Sequence, residues 1–285
     1  MSAPPVTASR RFERYVAIGD SSTEGLDDPD GAGGYRGWSR RLAQRIADVQ
    51  GSVLYANFGV RGKRTREIRD QQLAPAVALH PDLATVFCGT NDLVRPRFDA
   101  GAIADDVAHM QRALIAGGAT VLTFTLPDLA PVMPIARPLA PRIRALNRAL
   151  RSACADSGAI LVDFAAHAMA SDPRLWSDDR FHANAMGHER IAAALAQALA
   201  LPGTDDAWSR PLPAALAAKP RERLAAEWEW TRRHVLAWAW RSLHGPARRI
   251  AGPVEATTLR RIVAAPGTGA PVHDAAAESV RLPGA

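Results

Sequence analysis

Four short stretches of this chain carry side chains that could do chemistry. "IGDSSTEG" (18–25) closes an apolar run and sets Ser21 and Ser22 beside Gly19 and Asp20. "SDDRFHANAMGH" (177–188) places Asp178, Asp179 and His182 on one short segment. "NFGVRG" (57–62) and "CGTND" (88–92) contribute Asn57, Gly59, Asn91 and Asp92. A serine hydroxyl is a poor nucleophile until a base takes its proton. The usual base is a histidine held in one tautomer by a carboxylate. Two residues separate Asp179 from His182. A turn there can aim the carboxylate at one ring nitrogen and leave the other for a serine. Acyl transfer also needs hydrogen-bond donors where negative charge develops on the carbonyl oxygen. The backbone N–H of Ser21, the backbone N–H of Gly59 and the side-chain amide of Asn91 are candidates; the missing Cβ of Gly59 allows close approach.

The same residues have plainer readings. Asp, Ser and Thr are favoured at helix caps and turns, whatever else they do. Gly59 and Gly62 suit a tight turn. Ser22 rivals Ser21, and Asp178 rivals Asp179. Asp20 and Asp92 read as structural carboxylates that hold loops. His188 falls on a helical stretch and reads as a packing or surface residue, while His80, His109 and His167 have no chemical neighbours in sequence. The chain has no His-Glu-x-x-His helix and no close cysteine pair, so no metal site is expected. Cys88 and Cys154 lie far apart in sequence; one long-range disulfide is open to them, and two reduced thiols are the preferred reading.

The elements that must position these groups alternate along the chain. "RYVAIGDS", "SVLYANFG", "PDLATVFCGTND", "ATVLTFTLPD" and "AILVDF" are short apolar runs ending in polar or glycine residues, which predicts five buried strands. Between them, "WSRRLAQRIADV", "TREIRDQQLAPAVAL", "IADDVAHMQRALIAGG" and "PRIRALNRALRSACADSG" have helical spacing, and "ANAMGHERIAAALAQAL" closes the series. Alternating strands and helices call for a parallel sheet with helices on both faces. Ligands of such sheets bind beyond the carboxyl ends of the strands. Asp20-Ser21, Asn57-Gly59 and Asn91-Asp92 all fall there, and should meet at one edge. The loops "RPRFDAG" and "LAPVMPIARPLAPR" leave on the same side and should wall a pocket; Arg95, Arg97 and Arg137 within them read as solvated arginines.

The blocks "GDSSTEG", "NFGVRG", "GTND" and "DRFH" resemble, in order and at plausible separations, the four sequence blocks of the SGNH, or GDSL-type, hydrolases. The resemblance covers residues 15 to 199. It implies a flavodoxin-like three-layer α/β/α fold with a five-stranded parallel sheet in the order 2-1-3-4-5. It implies Ser21 as nucleophile, Asp179 and His182 as its triad partners, and an oxyanion hole from Ser21, Gly59 and Asn91. Family members cleave carboxylic esters and thioesters, including lipids and acetylated sugars, without metal or organic cofactor. A small-molecule ester is therefore the expected partner. Acyl transfer to a sugar or alcohol is the alternative reaction, and a non-catalytic binding module the alternative class. The "GxSxG" elbow of the other large esterase fold is absent.

The chain has 285 residues and a formal charge of +6, an invitation to a nucleic-acid reading. The distribution argues against it. Eight basic residues and three glutamates between 219 and 249 supply most of the excess, so any electrostatic partner belongs to that segment. After residue 203 "DDAWSRPLPAALAAKP" is proline-broken, and "RERLAAEWEWTRRHVLAWAWRSLHG" reads as one helix holding four of the seven tryptophans. The expected organisation is a hydrolase domain over 1–203, a linker and Trp/Arg-rich helix over 204–250 packed on the body, and a tail over 251–285 without order. Packing is preferred to peripheral membrane contact because Glu222, Glu227 and Glu229 would oppose anionic lipid. No run approaches the roughly 20 apolar residues of a membrane span. The N-terminal residues show no apolar core of a leader, so no secretion signal and a cytoplasmic location are expected.

Overall fold

The computed structural model describes residues 10–214, 227–236 and 258–266. The first strand, β1 (Arg14–Gly19), runs into a single helical turn, α1 (Ser21–Glu24). Then follow α2 (Gly37–Gln50), β2 (Ser52–Asn57), α3 (Thr65–Ala78) and β3 (Leu83–Phe87). A second single turn, α4 (Thr90–Leu93), precedes α5 (Ala100–Ala116) and β4 (Thr120–Phe124). The body closes with α6 (Ala140–Ser157), β5 (Ile160–Val162) and α7 (Ala185–Ala198). Every residue of β3, and all of β1 after Arg14, is buried. Such near-continuous apolar strands are what a parallel sheet covered on both faces requires.

The sheet order is β5-β4-β3-β1-β2-β6. Its first five strands are parallel and lie in the expected order. Helices α2 and α7 pack together, and α3, α5 and α6 form a second group. This is the expected three-layer α/β/α architecture. Between the layers Phe87 and Phe124 stack with ring centroids 3.9 Å apart, and Trp38 and Phe164 meet Phe124 edge-on. Pairs of this kind add about 0.5–1.5 kcal/mol beyond the area they bury. Among the described residues no helix is long and apolar enough to cross a membrane.

The strand count needs correction from five to six. The sixth strand, β6 (Arg260–Val263), pairs antiparallel with β2, Ser52 facing Val263 and Tyr55 facing Arg260. It comes from the segment expected to lack order. Four residues are too few for alternation to register in a sequence, and the strand is held by pairing with β2 rather than by a pattern of its own. Of the expected Trp-rich helix, residues 227–236 are described. Residues 227–230 are α-helical and Thr231–Leu236 continue as π-helix; the rest lies outside the described residues.

Candidate active site

The first block is shaped by close packing. Gly19 ends β1, and a Cβ there would meet Thr23 Oγ1 at 2.1 Å and the Phe87 carbonyl at 2.4 Å. Only glycine lets α1 fold back so tightly over the strand end. Gln72 holds the peptides on both sides of the Gly19 Cα, accepting from the Gly19 N–H (2.8 Å) and donating to its carbonyl (2.9 Å). Asp20 caps α1 by accepting from the Ser22 N–H at 3.0 Å. Burial pushes its carboxyl up to about 7; the Ser22 N–H and the charge of His182 pull the other way. Ser21 follows as the first residue of α1, where a backbone N–H has no intrahelical acceptor.

The 177–184 segment folds around Asp179. Its Oδ1 accepts from the Ser177 hydroxyl (2.6 Å) and from the N–H groups of Phe181 (2.8 Å) and His182 (2.9 Å). These bonds curl the segment so that Asp179 Oδ2 accepts from His182 Nδ1 at 2.6 Å. With the proton on Nδ1, Nε2 is left as an acceptor. The Ser21 hydroxyl donates to it at 2.8 Å across a sequence separation of 161. Ser21, His182 and Asp179 thus form one hydrogen-bonded relay. Ser22 and Asp178 take no part. The Ser22 hydroxyl accepts from the Trp38 indole at 3.2 Å, and the Asp178 side chain is 80% exposed.

Burial works against charge at both Asp179 and His182, yet the pair overrides it. The His182 hydrogen bond and charge hold the Asp179 carboxyl far below the usual carboxylate range, against its desolvation. Desolvation alone would lower the His182 pKa; Asp179, then Asp27 and Asp20, raise it instead. Asp27 went unremarked in the sequence. Its Oδ2 lies 3.9 Å from His182 Nδ1, and its φ of 66° is a left-handed setting uncommon outside glycine. Asp27, Asp179 and His182 bring possible ligand atoms within 4.8 Å of one another, a spacing that exposed acidic groups commonly show without a cation. A cation there would have to displace the 2.6 Å bond between His182 and Asp179.

The donor side departs from expectation at Gly59. Its N–H is spent on Asn57 Oδ1 at 2.8 Å. A Cβ at Gly59 would lie 2.3 Å from Glu24 N, so this glycine admits α1 rather than a substrate. Three residues on, Gly62 has φ 77° and open space where a Cβ would project. Among the described residues no group accepts from its N–H. The sequence offered a signal, since both glycines of "NFGVRG" were available. Glu24 ties this loop to α1, accepting from the Arg61 N–H (2.8 Å) and pairing with its guanidinium. Asn91 sits beside it. One Asn91 amide hydrogen goes to the Lys63 carbonyl (3.0 Å), and the other makes only a long 3.4 Å contact with Asp20 Oδ2. Asp92 holds the start of α3 through the Thr65 N–H (3.0 Å) and hydroxyl (2.9 Å).

An apolar cavity of about 90 Å³ opens beside Ser21 and His182. Phe87, Phe124, Phe164, Met169, Trp176 and Phe181 line it. Its wall comes from the loop after β4 and from the 164–183 segment. Thr90 after β3 also lines the cavity, but the 95–101 loop expected to wall it does not; Arg142 holds the start of that loop, donating to the Leu93 and Arg95 carbonyls (2.7 and 2.6 Å). Arg95, Arg97 and Arg137 are exposed. His188 is neither surface nor simple packing. It is fully buried, accepts from the Trp38 N–H at Nδ1 (3.1 Å) and donates from Nε2 to the Leu26 carbonyl (2.9 Å).

A hydroxyl, an imidazole and a carboxylate in line, with amide donors alongside and an apolar cavity next to them, suit attack on an acyl carbonyl. The comparisons give the family. The family model for the GDSL-like lipase/acylhydrolase family matches residues 17–190. This chain belongs to that family. It is accordingly an ester-hydrolysing enzyme. It is 30% identical over 210 residues to the GDSL lipase Rv0518 of Mycobacterium tuberculosis, covering 69% of this chain and 86% of that one. Solved structures of similar fold include TesA (TM-score 0.56, 21% identity, 66% of this chain and 98% of that one). They also include the acetylxylan esterase Axe2 of Geobacillus stearothermophilus (TM-score 0.57, 17% identity, 71% and 98%). At these identities the likeness speaks for the fold.

Proposed function

We propose that this GDSL-family chain hydrolyses carboxylic esters or thioesters through Ser21, His182 and Asp179 by way of an acyl-enzyme. The observation that carries the reading is the unbroken relay, 2.8 Å from Ser21 Oγ to His182 Nε2 and 2.6 Å from His182 Nδ1 to Asp179 Oδ2. His182 Nε2 takes the Ser21 proton as Oγ bonds to the acyl carbon. Asp179 holds the Nδ1 proton and stabilises the imidazolium that forms. The carbonyl π electrons move to oxygen, where the Ser21 N–H, the Asn91 amide and the Gly62 N–H are the donors; Gly62 replaces Gly59 in this role. Collapse of the tetrahedral adduct breaks the bond to the alcohol or thiol, which leaves with the His182 proton. His182 then takes a proton from water as the water oxygen bonds to the acyl carbon; the Ser21 Oγ–acyl bond breaks, His182 returns that proton to Oγ, and the carboxylic acid leaves.

The cavity beside Ser21 takes the acyl chain, since its lining is apolar and aromatic. Residues 1–203 make up the hydrolase domain, with the later segments as additions to it. Two buried, unpaired thiols, Cys88 and Cys154, fit a reducing, cytoplasmic setting.

Turnover of p-nitrophenyl acetate by Ser21→Ala tests the reading. A loss on the order of 10⁴-fold or more is expected for a deleted nucleophile. Undiminished turnover would refute it. A fluorophosphonate probe should label Ser21 in the native chain.

A further inference from the structure

The residues on either side of Asp179 are held by a segment that lies beyond the family match. Trp230 donates its indole N–H to the Asp178 carbonyl at 2.8 Å. The Asp178 carboxylate faces His234 Nε2 at 3.6 Å and Arg233 at 3.8 Å. On the other side of Asp179, Arg180 donates to both carboxylate oxygens of Glu227 (2.8 and 2.7 Å). Its guanidinium lies over the Trp230 ring, 4.6 Å from the centroid. His234 stacks on the same indole at 5.5 Å. Trp230 is 8% exposed while Trp228 on the same turn is 67% exposed, so one tryptophan is selected for contact. Arg180 keeps a left-handed φ of 59°, a setting its neighbours must hold in place.

The geometry points to residues 227–236 as a clamp on the loop carrying Asp179 and His182, with Trp230 its anchoring, positioning residue. The inference rests on the reading of Asp179 and His182 as partners of Ser21. The bonds inside the loop set how Asp179 meets His182. The clamp sets where the whole loop sits against α1, and hence the distance from His182 Nε2 to the Ser21 hydroxyl. That distance is the one most exposed to drift, because its two ends come from segments 161 residues apart. None of the clamp falls within residues 17–190, so the matched family region does not supply it.

The test uses the full chain with Trp230→Ala, Trp230→Phe and Glu227→Gln. Reactive sites are counted with the fluorophosphonate probe, and kcat per counted site and the pH profile of kcat/KM are measured with a p-nitrophenyl ester. Trp230→Ala should lose roughly ten- to a hundredfold in kcat per site, the scale of an ångström-sized misplacement. Its acid limb should move to lower pH as Asp27, which lies outside the loop, loses its fixed approach to His182. Trp230→Phe keeps a ring over Arg180 but no indole N–H, and should fall between. Glu227→Gln should shift the same way by less. A folded Trp230→Ala variant with unchanged kcat per site and an unmoved acid limb overturns the clamp, even if its thermal midpoint drops. Should Trp230→Ala not fold, unchanged values in both milder variants overturn it equally. Failure of the native chain to label at Ser21 would instead sink the proposed function, so the two failures are distinct.

Discussion

Asp27 Oδ2 lies 3.9 Å from His182 Nδ1, the nitrogen that Asp179 Oδ2 engages at 2.6 Å. Two carboxylates therefore converge on one imidazole edge, one bonded and one a charge at the next shell. Both favour the imidazolium. Asp27→Asn should move the acid limb of kcat/KM to lower pH and cost only a few-fold in kcat, roughly what a screened, half-exposed charge contributes. Asp179→Asn should cost on the order of 10³–10⁴-fold, since it also loses the tautomer-fixing bond. The double variant should fall below Asp179→Asn alone. Kinetics across the acid limb decide the matter; an Asp27→Asn profile superimposable on the native one would remove Asp27 from the site.

Activity and stability should respond oppositely to pH at the relay. On the proposed mechanism His182 must be neutral to act as base, so activity should rise as pH climbs through the His182 pKa, which lies above its ordinary value. A raised folded-state pKa stabilises the fold fully below the unfolded value and loses that contribution as pH rises through the folded one. Asp179 has the opposite sign. Its depressed pKa stabilises above the usual carboxylate range, and the contribution is lost as pH falls below it. The stability advantage of the native chain over His182→Ala should thus be larger at about pH 6 than at about pH 9. Urea midpoints at the two values measure this; an advantage that grew with pH would contradict the assignment of charge.

Most of the scaffold was legible because its elements obey local rules. The five parallel strands are short apolar runs with polar ends, and the helices between them have plain periodicity. The pairing of Asp179 with His182 was legible for a similar reason: the two share one turn, so spacing in sequence is spacing in space, whereas Ser21 over Ser22 and Asp179 over Asp178 came from the resemblance. What escaped depended on packing between distant segments. The N–H of Gly59 is taken by Asn57 Oδ1, a side chain whose direction no spacing discloses. Asp27 reaches His182 across 155 positions of chain through a left-handed turn without glycine. His188 is buried by its bonds to Leu26 and Trp38, not by apolar character. Strand β6 exists by virtue of β2.

Gly59→Ala separates the two roles a glycine can play beside a site. The substitution keeps the backbone N–H, so a donor role would survive it. The new Cβ would press on the backbone of Thr23 and Glu24 in α1, at 2.7 and 2.3 Å. Backbone cannot swing aside as a side-chain tip can. Overpacking of this kind costs about 1–3 kcal/mol. Thermal unfolding should show that loss, together with lower turnover, because α1 carries Ser21. An unaltered midpoint and rate would mean the loop yields freely and the contact does not hold α1.

Ending the chain at residue 257 should expose β2 as an open edge. β6 supplies the pairing along Ser52–Tyr55, and Arg260 and Arg261 place charge on the outer strand. Charged edge strands guard a sheet against pairing with other copies. Without them β2 offers unpaired N–H and C=O groups flanked by the apolar Val53 and Leu54. The truncated chain should melt at lower temperature, about 2–4 °C for each kcal/mol lost in a protein of this size. It should also associate at concentrations where the native chain does not. β6 lies at the far edge of the sheet from β4 and β5, whose ends feed the cavity, so kcat per fluorophosphonate-reactive site should change by no more than about twofold, well under 1 kcal/mol of barrier. Light scattering and melting curves read the first effects, and titrated kinetics the last. Unchanged melting and unchanged solubility in the truncated chain would mean that β6 neither stabilises nor shields the edge.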